Sequence, residues 1–402
     1  MPAYIHHIST QVPGHTYRQS DIRDRIKSWT RDVRTRRLIH NVYNRSGIET
    51  RASVLGDFQP EGGSDPALYQ TTDTGDGPEV LPTGTAARNA CYNREARTLA
   101  VQVARQALSG AVGFSVTDIT HIIFASCTGF TNPGPDYHII RELGLNVGVE
   151  RYTLGFMGCY AAFPALRMAG QFCEANPQAV VLVVCLELCS LHMQINDQPD
   201  CILANSLFAD GTAAAVVSSR KPPPDLPAYR LRAFASALVT DGEADMAWDI
   251  GNEGFNIVLS SYVPEILGTR IRDLLEEVLQ RASLTLEEID EWAVHPGGRA
   301  ILDKVEEALH LPATALQASR QILRDFGNMS SATVLFVLKE LLDSATTPDA
   351  ITCAMAFGPG LTVETAVLER CGCALPVNRV ATPATVEAAE AMPSPVAVIA
   401  VA

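Results

Sequence analysis

The chain has ten cysteines but no Cys-x-x-Cys pair, and nine histidines but no His-x-x-x-His. Those absences exclude the usual zinc-site spacings, and Cys371 and Cys373 lie too close together to supply one. The cysteines are scattered, several inside apolar runs such as Cys185 in AVVLVVCLEL. They read as reduced thiols of a cytosolic protein. Positive charge is in deficit: 31 Lys and Arg against 45 Asp and Glu leave a formal charge of -14. That argues against nucleic acid and against anionic membrane surfaces as partners, while a local basic pocket for a small anion stays open. No run of eighteen apolar residues occurs, so no transmembrane helix is expected. The N-terminal MPAYIHHISTQVPG lacks a charged start followed by an apolar run, so no signal peptide is expected. What is present is apolar bulk. At 47% hydrophobic and 19% charged over 402 residues, the chain can bury a large interior. That length exceeds one single-core layer and predicts two domains, or one large domain of two halves.

Strand and helix patterns alternate throughout. AYIHHISTQVPG reads as a first strand; His6 and His7 point to its opposite faces and make a poor joint metal site. Residues 18–52 carry a helical pattern and a basic cluster of Arg31, Arg34, Arg36, Arg37, Arg45 and Arg51. The cluster is either a solvated face or a docking surface for phosphates. Residues 56–90 read as loop and turns, and a helix is predicted from Asn93 to Ala111. QAVVLVVCLEL and GTAAAVVSS are nearly continuous apolar runs, suiting strands buried on both faces of a layered α/β sheet. KPPPDLP at 221–227 reads as a connection at the junction of two halves. The acidic TDGEADMAWD lacks the glycine and terminal glutamate of a calcium loop and reads as a solvated loop. YVPEILGTRIRDLLEEVLQRA is an amphipathic helix. Thr285 with Glu288 fits a capping box. ITCAMAFGPGLTVETAVLER reads as a hairpin with FGPG at its tip. From about residue 373 an Ala-, Pro- and Val-rich tail shows no periodicity.

Three polar residues share one local grammar. Cys159 follows Gly158 and precedes an apolar helix; His295 ends a strand before Pro296-Gly297-Gly298; Asn328 follows Gly327 and precedes another apolar helix. Strand ends and helix starts are where layered α/β folds place ligand chemistry. Taken singly, Cys159 is a small core residue, His295 a satisfied core histidine and Asn328 a helix cap. Taken together they make chemical sense. A thiol at a helix start is favoured as thiolate by free backbone N–H groups and the helix dipole, and a thiolate accepts acyl groups from thioesters. A neighbouring histidine can hold that thiolate as an ion pair, and the histidine and a carboxamide can together donate to a carbonyl oxygen that becomes an enolate or oxyanion. No metal is required.

The motifs GFMGCYAAFPALRMA, VHPGGRAILD, FGNMSSATVLFVL and AFGPGLTVET, in this order, resemble the type III polyketide synthases, relatives of chalcone synthase. The resemblance covers roughly residues 5 to 370. It implies a thiolase fold, a five-layer αβαβα arrangement of two similar halves, here 1–225 and 226–372 with the tail 373–402, in a homodimer. It implies a catalytic Cys159, His295 and Asn328, a gatekeeper Phe208 in SLFADG, and an active-site loop of Gly358, Pro359 and Gly360. The implied substrates are an acyl-CoA starter and malonyl-CoA, with no permanently bound cofactor. Cavity-lining positions of the plant enzymes fall at Cys127, Cys189, His192, Trp248, Ile257 and Ser330. Ile257 stands where they carry a second Phe, and Trp248 where they carry Gly, so cavity volume should be lost. Asn132 takes the place of the Met reaching toward the dimer partner. Arg45 matches a cationic coenzyme A contact. The implied reaction is iterative decarboxylative condensation giving a pyrone, resorcinol or phloroglucinol-type product. The alternatives are a ketoacyl synthase III-like condensing enzyme, from which HPGG and FGPGLTVE depart, a non-catalytic homologue, and a cysteine hydrolase.

Overall fold

The computed structural model describes residues 1–59, 67–75, 78–260, 262–344, 347 and 349–372. The tail from residue 373 lies outside them. In chain order, β1 (Ala3–Gln11) is followed by the ribbon β2 (His15–Arg18) and β3 (Thr50–Ser53), which encloses α1 (Gln19–Trp29) and α2 (Val33–Arg45). The small ribbon β4 (Thr71–Asp73) and β5 (Pro78–Val80) precedes α3 (Thr85–Gly110). Then come β6 (His121–Ser126), α4 (Pro135–Leu143), β7 (Glu150–Gly155), α5 (Ala162–Ala175), β8 (Val180–Leu188), α6 (Pro199–Leu207) and β9 (Asp210–Ser218). The remainder runs β10 (Ala228–Leu238), the ribbon β11 (Met246–Gly251) and β12 (Gly254–Leu259), α7 (Val263–Ala282), β13 (Glu291–Val294) and α8 (Arg299–Leu309). It closes with α9 (Gln317–Phe326), α10 (Thr333–Asp343), β14 (Ile351–Gly358) and β15 (Thr362–Cys371).

One sheet carries the order β13-β14-β15-β10-β1-β9-β8-β6-β7. Its two flanks repeat one plan outward from the β1/β10 junction. β1-β9-β8-β6 and β10-β15-β14-β13 both run antiparallel, antiparallel, parallel. Every residue of β8 and β9 is buried, as continuous apolar runs require. A single core buries α5 and α10 together between the flanks, through Phe163, Leu166, Val334 and Leu335 against Val183, Ala215 and Ala354. A second core packs α3 on one outer face, and a third packs α7 and α8 on the other. Helix, sheet, helix, sheet, helix is the five-layer αβαβα thiolase fold.

Several local expectations need correction. α3 starts at Thr85, eight residues before the predicted Asn93; Ala and Arg are strong helix formers, and Gly84 takes the N-cap. Met246–Gly251 is a strand rather than part of a solvated loop, because GFNIVL pairs with it across a tight hairpin. Glu150–Gly155 is a strand leading into the nucleophile turn. α6 and α9 are helices that the sequence reading does not anticipate; for α6 the missed cue is Pro199 at the first turn, for α9 the amphipathic spacing that buries Ser319, Ile322 and Leu323. The capping box forms, with the Thr285 N–H donating to Glu288 at 2.8 Å.

Candidate active site

The turn before α5 places Cys159. Gly158 has φ +90, and a Cβ there would sit 2.5 Å from Pro359 Cδ, so only glycine lets the Gly358–Pro359–Gly360 loop close on the nucleophile. Gly358 is confined likewise by the Tyr160 ring. His295 extends the β13 ladder, its N–H donating to Met355 O at 2.8 Å, and is 1% exposed. Asn328 is held through its backbone against Phe208. Its N–H donates to Leu207 O (2.9 Å) and its carbonyl accepts from Ala209 N (2.8 Å). Its carboxamide donates to Gly297 O at 3.2 Å, in the turn after His295, and accepts from Ser330 N at 2.9 Å. Asn328 thus closes a local side-chain turn with Ser330 and does not cap α10, whose N-cap is Ala332. Both carboxamide heteroatoms lie 4.0 Å from Cys159 Sγ. Both ring nitrogens of His295 are buried without a hydrogen-bond partner among the described residues.

Burial dominates the electrostatics. It pushes the Cys159 thiol up to about 11, against the lowering by hydrogen bonds with Ser330 and Asn328. It pushes His295 down to about 3. Burial thus works against the thiolate expected from the helix start. A helix terminus is worth about 0.3–1 kcal/mol, whereas a rise from 9.0 to about 11 corresponds to about 3 kcal/mol. Burial therefore opposes charge on both groups, the thiolate as well as the imidazolium.

Two cavities meet at this point. The outer one, about 520 Å³, is lined by Cys159, His295 and Asn328, with Phe208 and Pro359 beside them and the exposed Arg45 at its mouth. The inner one, about 30 Å³, is lined by all six expected positions: Cys127, Cys189, His192, Trp248, Ile257 and Ser330. Phe208, Trp248 and Ile257 border both. Trp248 faces Ile257 across the β11/β12 ribbon and meets the Phe156 ring edge-on at 5.4 Å. Phe255 stacks on His192 at 3.6 Å. Phe156 (φ 60) and Ser330 (φ 46) are non-glycine residues held in left-handed conformations beside the site, each costing roughly 1–3 kcal/mol. Gly360, also at positive φ, shapes the loop and is absent from the cavity linings.

Sequence reading missed some contributors. Glu187 is fully buried behind the inner pocket and accepts from Cys127 N (3.0 Å), Thr128 Oγ1 (2.9 Å) and Ser331 Oγ (2.5 Å). Burial raises it to about 7. Its signal was available as the lone charge in AVVLVVCLEL. The basic cluster divides: Arg34, Arg36 and Arg37 are exposed on α2, Arg45 reaches the cavity, and Arg51 is buried on β3. Among the described residues no group of three or more His, Cys, Asp or Glu could hold a metal.

A buried thiol, an imidazole and a carboxamide lining one cavity, at element ends of a five-layer αβαβα fold, define a thiolase-type condensing enzyme. The chain belongs to the chalcone and stilbene synthase family, the type III polyketide synthases. The family's N-terminal domain model matches residues 2–221 and its C-terminal domain model residues 230–371. The chain is 32% identical over 366 residues to the alpha-pyrone synthesis polyketide synthase-like Pks18 of Mycobacterium tuberculosis, covering 90% of each. The C-terminal type III domain of Steely1, a type I/III hybrid from Dictyostelium, superposes with TM-score 0.83 at 29% identity, covering 92% of this chain and 100% of that one. The 1,3,6,8-tetrahydroxynaphthalene synthase of Streptomyces coelicolor gives TM-score 0.80 at 29% identity, covering 92% and 99%. The protein is accordingly an acyltransferase-class polyketide synthase using coenzyme A thioesters. No described helix is long and apolar enough to cross a membrane.

Proposed function

We propose that Cys159 carries the growing chain while His295 and Asn328 serve the malonyl thioester. The observation that carries this reading is the junction of all three in one cavity, with the carboxamide 4.0 Å from the sulfur. The neutral imidazole takes the thiol proton as Sγ attacks the starter thioester. A C–S bond forms, and coenzyme A leaves with that proton. Malonyl-CoA then binds with its thioester oxygen toward the His295 and Asn328 N–H groups. Its carboxylate leaves as carbon dioxide, and the electron pair becomes an enolate held by those donors. The enolate carbon attacks the acyl-Cys159 carbonyl and expels the thiolate, leaving the extended chain on coenzyme A. The Phe208 ring shapes the malonyl path.

The inner pocket supports a short product. Its volume of about 30 Å³ holds roughly two waters, and Trp248 occupies the wall. A pyrone from a short starter and few extensions, seated mainly in the outer cavity, fits that restriction best, in keeping with the alpha-pyrone synthesis named for the Mycobacterium relative. Arg45 anchors coenzyme A phosphate at the outer mouth. The halves meet in the 221–227 connection. A homodimer is supported by β7, an edge strand with its side chains largely exposed, which a second copy would cover. The nine described cysteines are all free, which supports a cytoplasmic location.

The test is product mass spectrometry with malonyl-CoA and starters from acetyl- to palmitoyl-CoA. Short starters giving triketide or tetraketide pyrones support the proposal. Exclusive use of long-chain or bulky aromatic starters contradicts the pocket argument.

A further inference from the structure

The mechanism leaves three buried cations unused, Arg51, Arg88 and Arg370, and among the described residues only Arg51 donates to the carbonyl of Phe208. Arg51 is 2% exposed on β3, outside the main sheet, and no described carboxylate lies within salt-bridge distance. Its Nη1 donates to Asn205 O at 2.8 Å and to Phe208 O at 2.6 Å. These are carbonyls at the C-terminal end of α6, where a cation is favoured by the helix dipole. The other two carbonyls of that last turn are also taken. Ser206 O accepts from Gln19 Nε2 at 2.8 Å, and Leu207 O accepts from Asn328 N at 2.9 Å. The stem of Arg51 also runs under the residue before Asn328: a Cβ on Gly327 would sit 2.9 Å from its Cγ and Cδ. One side chain therefore fixes both strands of the Phe208–Asn328 bridge. Cys159 stands on the turn before α5 and His295 just past β13, and neither is among its hydrogen-bond partners.

We infer that Arg51 is the positioning residue of the malonyl half of the site, holding the gatekeeper ring and the carboxamide in register while the nucleophile is held independently. The inference rests on the division of roles proposed above. Burying a guanidinium is costly unless its position is needed, and the backbone it clamps bears two of the groups assigned to malonyl binding. Its loss then uncouples two steps that a merely structural residue would affect together.

The test measures two rates on the full-length protein: carbon dioxide release from malonyl-CoA without starter, and iodoacetamide labelling of Cys159 read on its peptide. Asn328→Ala is the reference and lowers carbon dioxide release. Arg51→Met is expected to lower that release at least tenfold with Cys159 labelling within twofold of the unmodified protein. Arg51→Lys, keeping a donor and a charge, is expected to recover part of the loss. Parallel falls in both rates, or release at the unmodified level, overturns the inference. Should Arg51→Met not fold, Arg51→Lys is read in the same way: a roughly threefold selective loss of release supports it, and no loss or a parallel loss overturns it. If Asn328→Ala leaves release intact, the division of roles itself fails and takes this inference with it.

Discussion

The outer and inner cavities share Phe208, Trp248 and Ile257 and have little else in common. The outer one is about 520 Å³, opens past Arg45, and holds every group assigned to bond making. The inner one is about 30 Å³, walled by aromatic rings and small polar side chains, and contains none of the three. Their difference separates two questions. Which bonds form depends on residues at the punctuated ends of buried elements. How far the chain grows depends on side-chain volume behind a gate, where one residue can change the answer.

Variants on either side of the gate break or sharpen that division. The largest effect belongs to Cys159→Ala: polyketide formation should fall by about a thousandfold or more, while carbon dioxide release from malonyl-CoA persists, as paired product and release assays would record. Loss of both together would merge the roles assigned to sulfur and donors. Next is Trp248→Ala, which enlarges the inner pocket and the stretch of wall it shares with the outer cavity, leaving Cys159, His295 and Asn328 unchanged. Products at least one acetate unit longer are expected by mass spectrometry, with release within about threefold of normal. An unchanged product would mean that the wall does not measure the chain. The smallest effect is Arg45→Ala. Losing one exposed phosphate contact should raise KM for malonyl-CoA about three- to tenfold at unchanged kcat. A malonyl thioester of N-acetylcysteamine, which has no phosphates, should show no change in steady-state assays. Equal effects on both substrates would remove Arg45 from phosphate binding.

The meeting of Cys159, His295 and Asn328 in one cavity was legible because each stands within two residues of a glycine at the end of a buried element. The buried strands were legible for the same reason: Val180–Leu188 has no polar face to misread. Protonation was not, because the helix dipole can be read from local sequence and desolvation cannot. Arg51 looked like one more member of a solvated basic cluster, since nothing local says that β3 turns it inward beneath α6. Trp248 was visible as a bulky residue, but its wall is built from Phe156, Phe255 and His192, which come from three distant segments. α6 stayed hidden because its buried residues answer to tertiary neighbours more than to a helical period.

The central claim is that the growing acyl group is held on one sulfur, and it can be read directly. The protein is incubated with acetyl-CoA, quenched in acid and digested, and the mass of the Cys159 peptide is measured beside those of the other cysteine peptides. The account predicts acetylation on Cys159 alone, absent in His295→Ala. An acyl group on Cys127 or Cys189 in place of Cys159, or equal acylation without the imidazole, would contradict it.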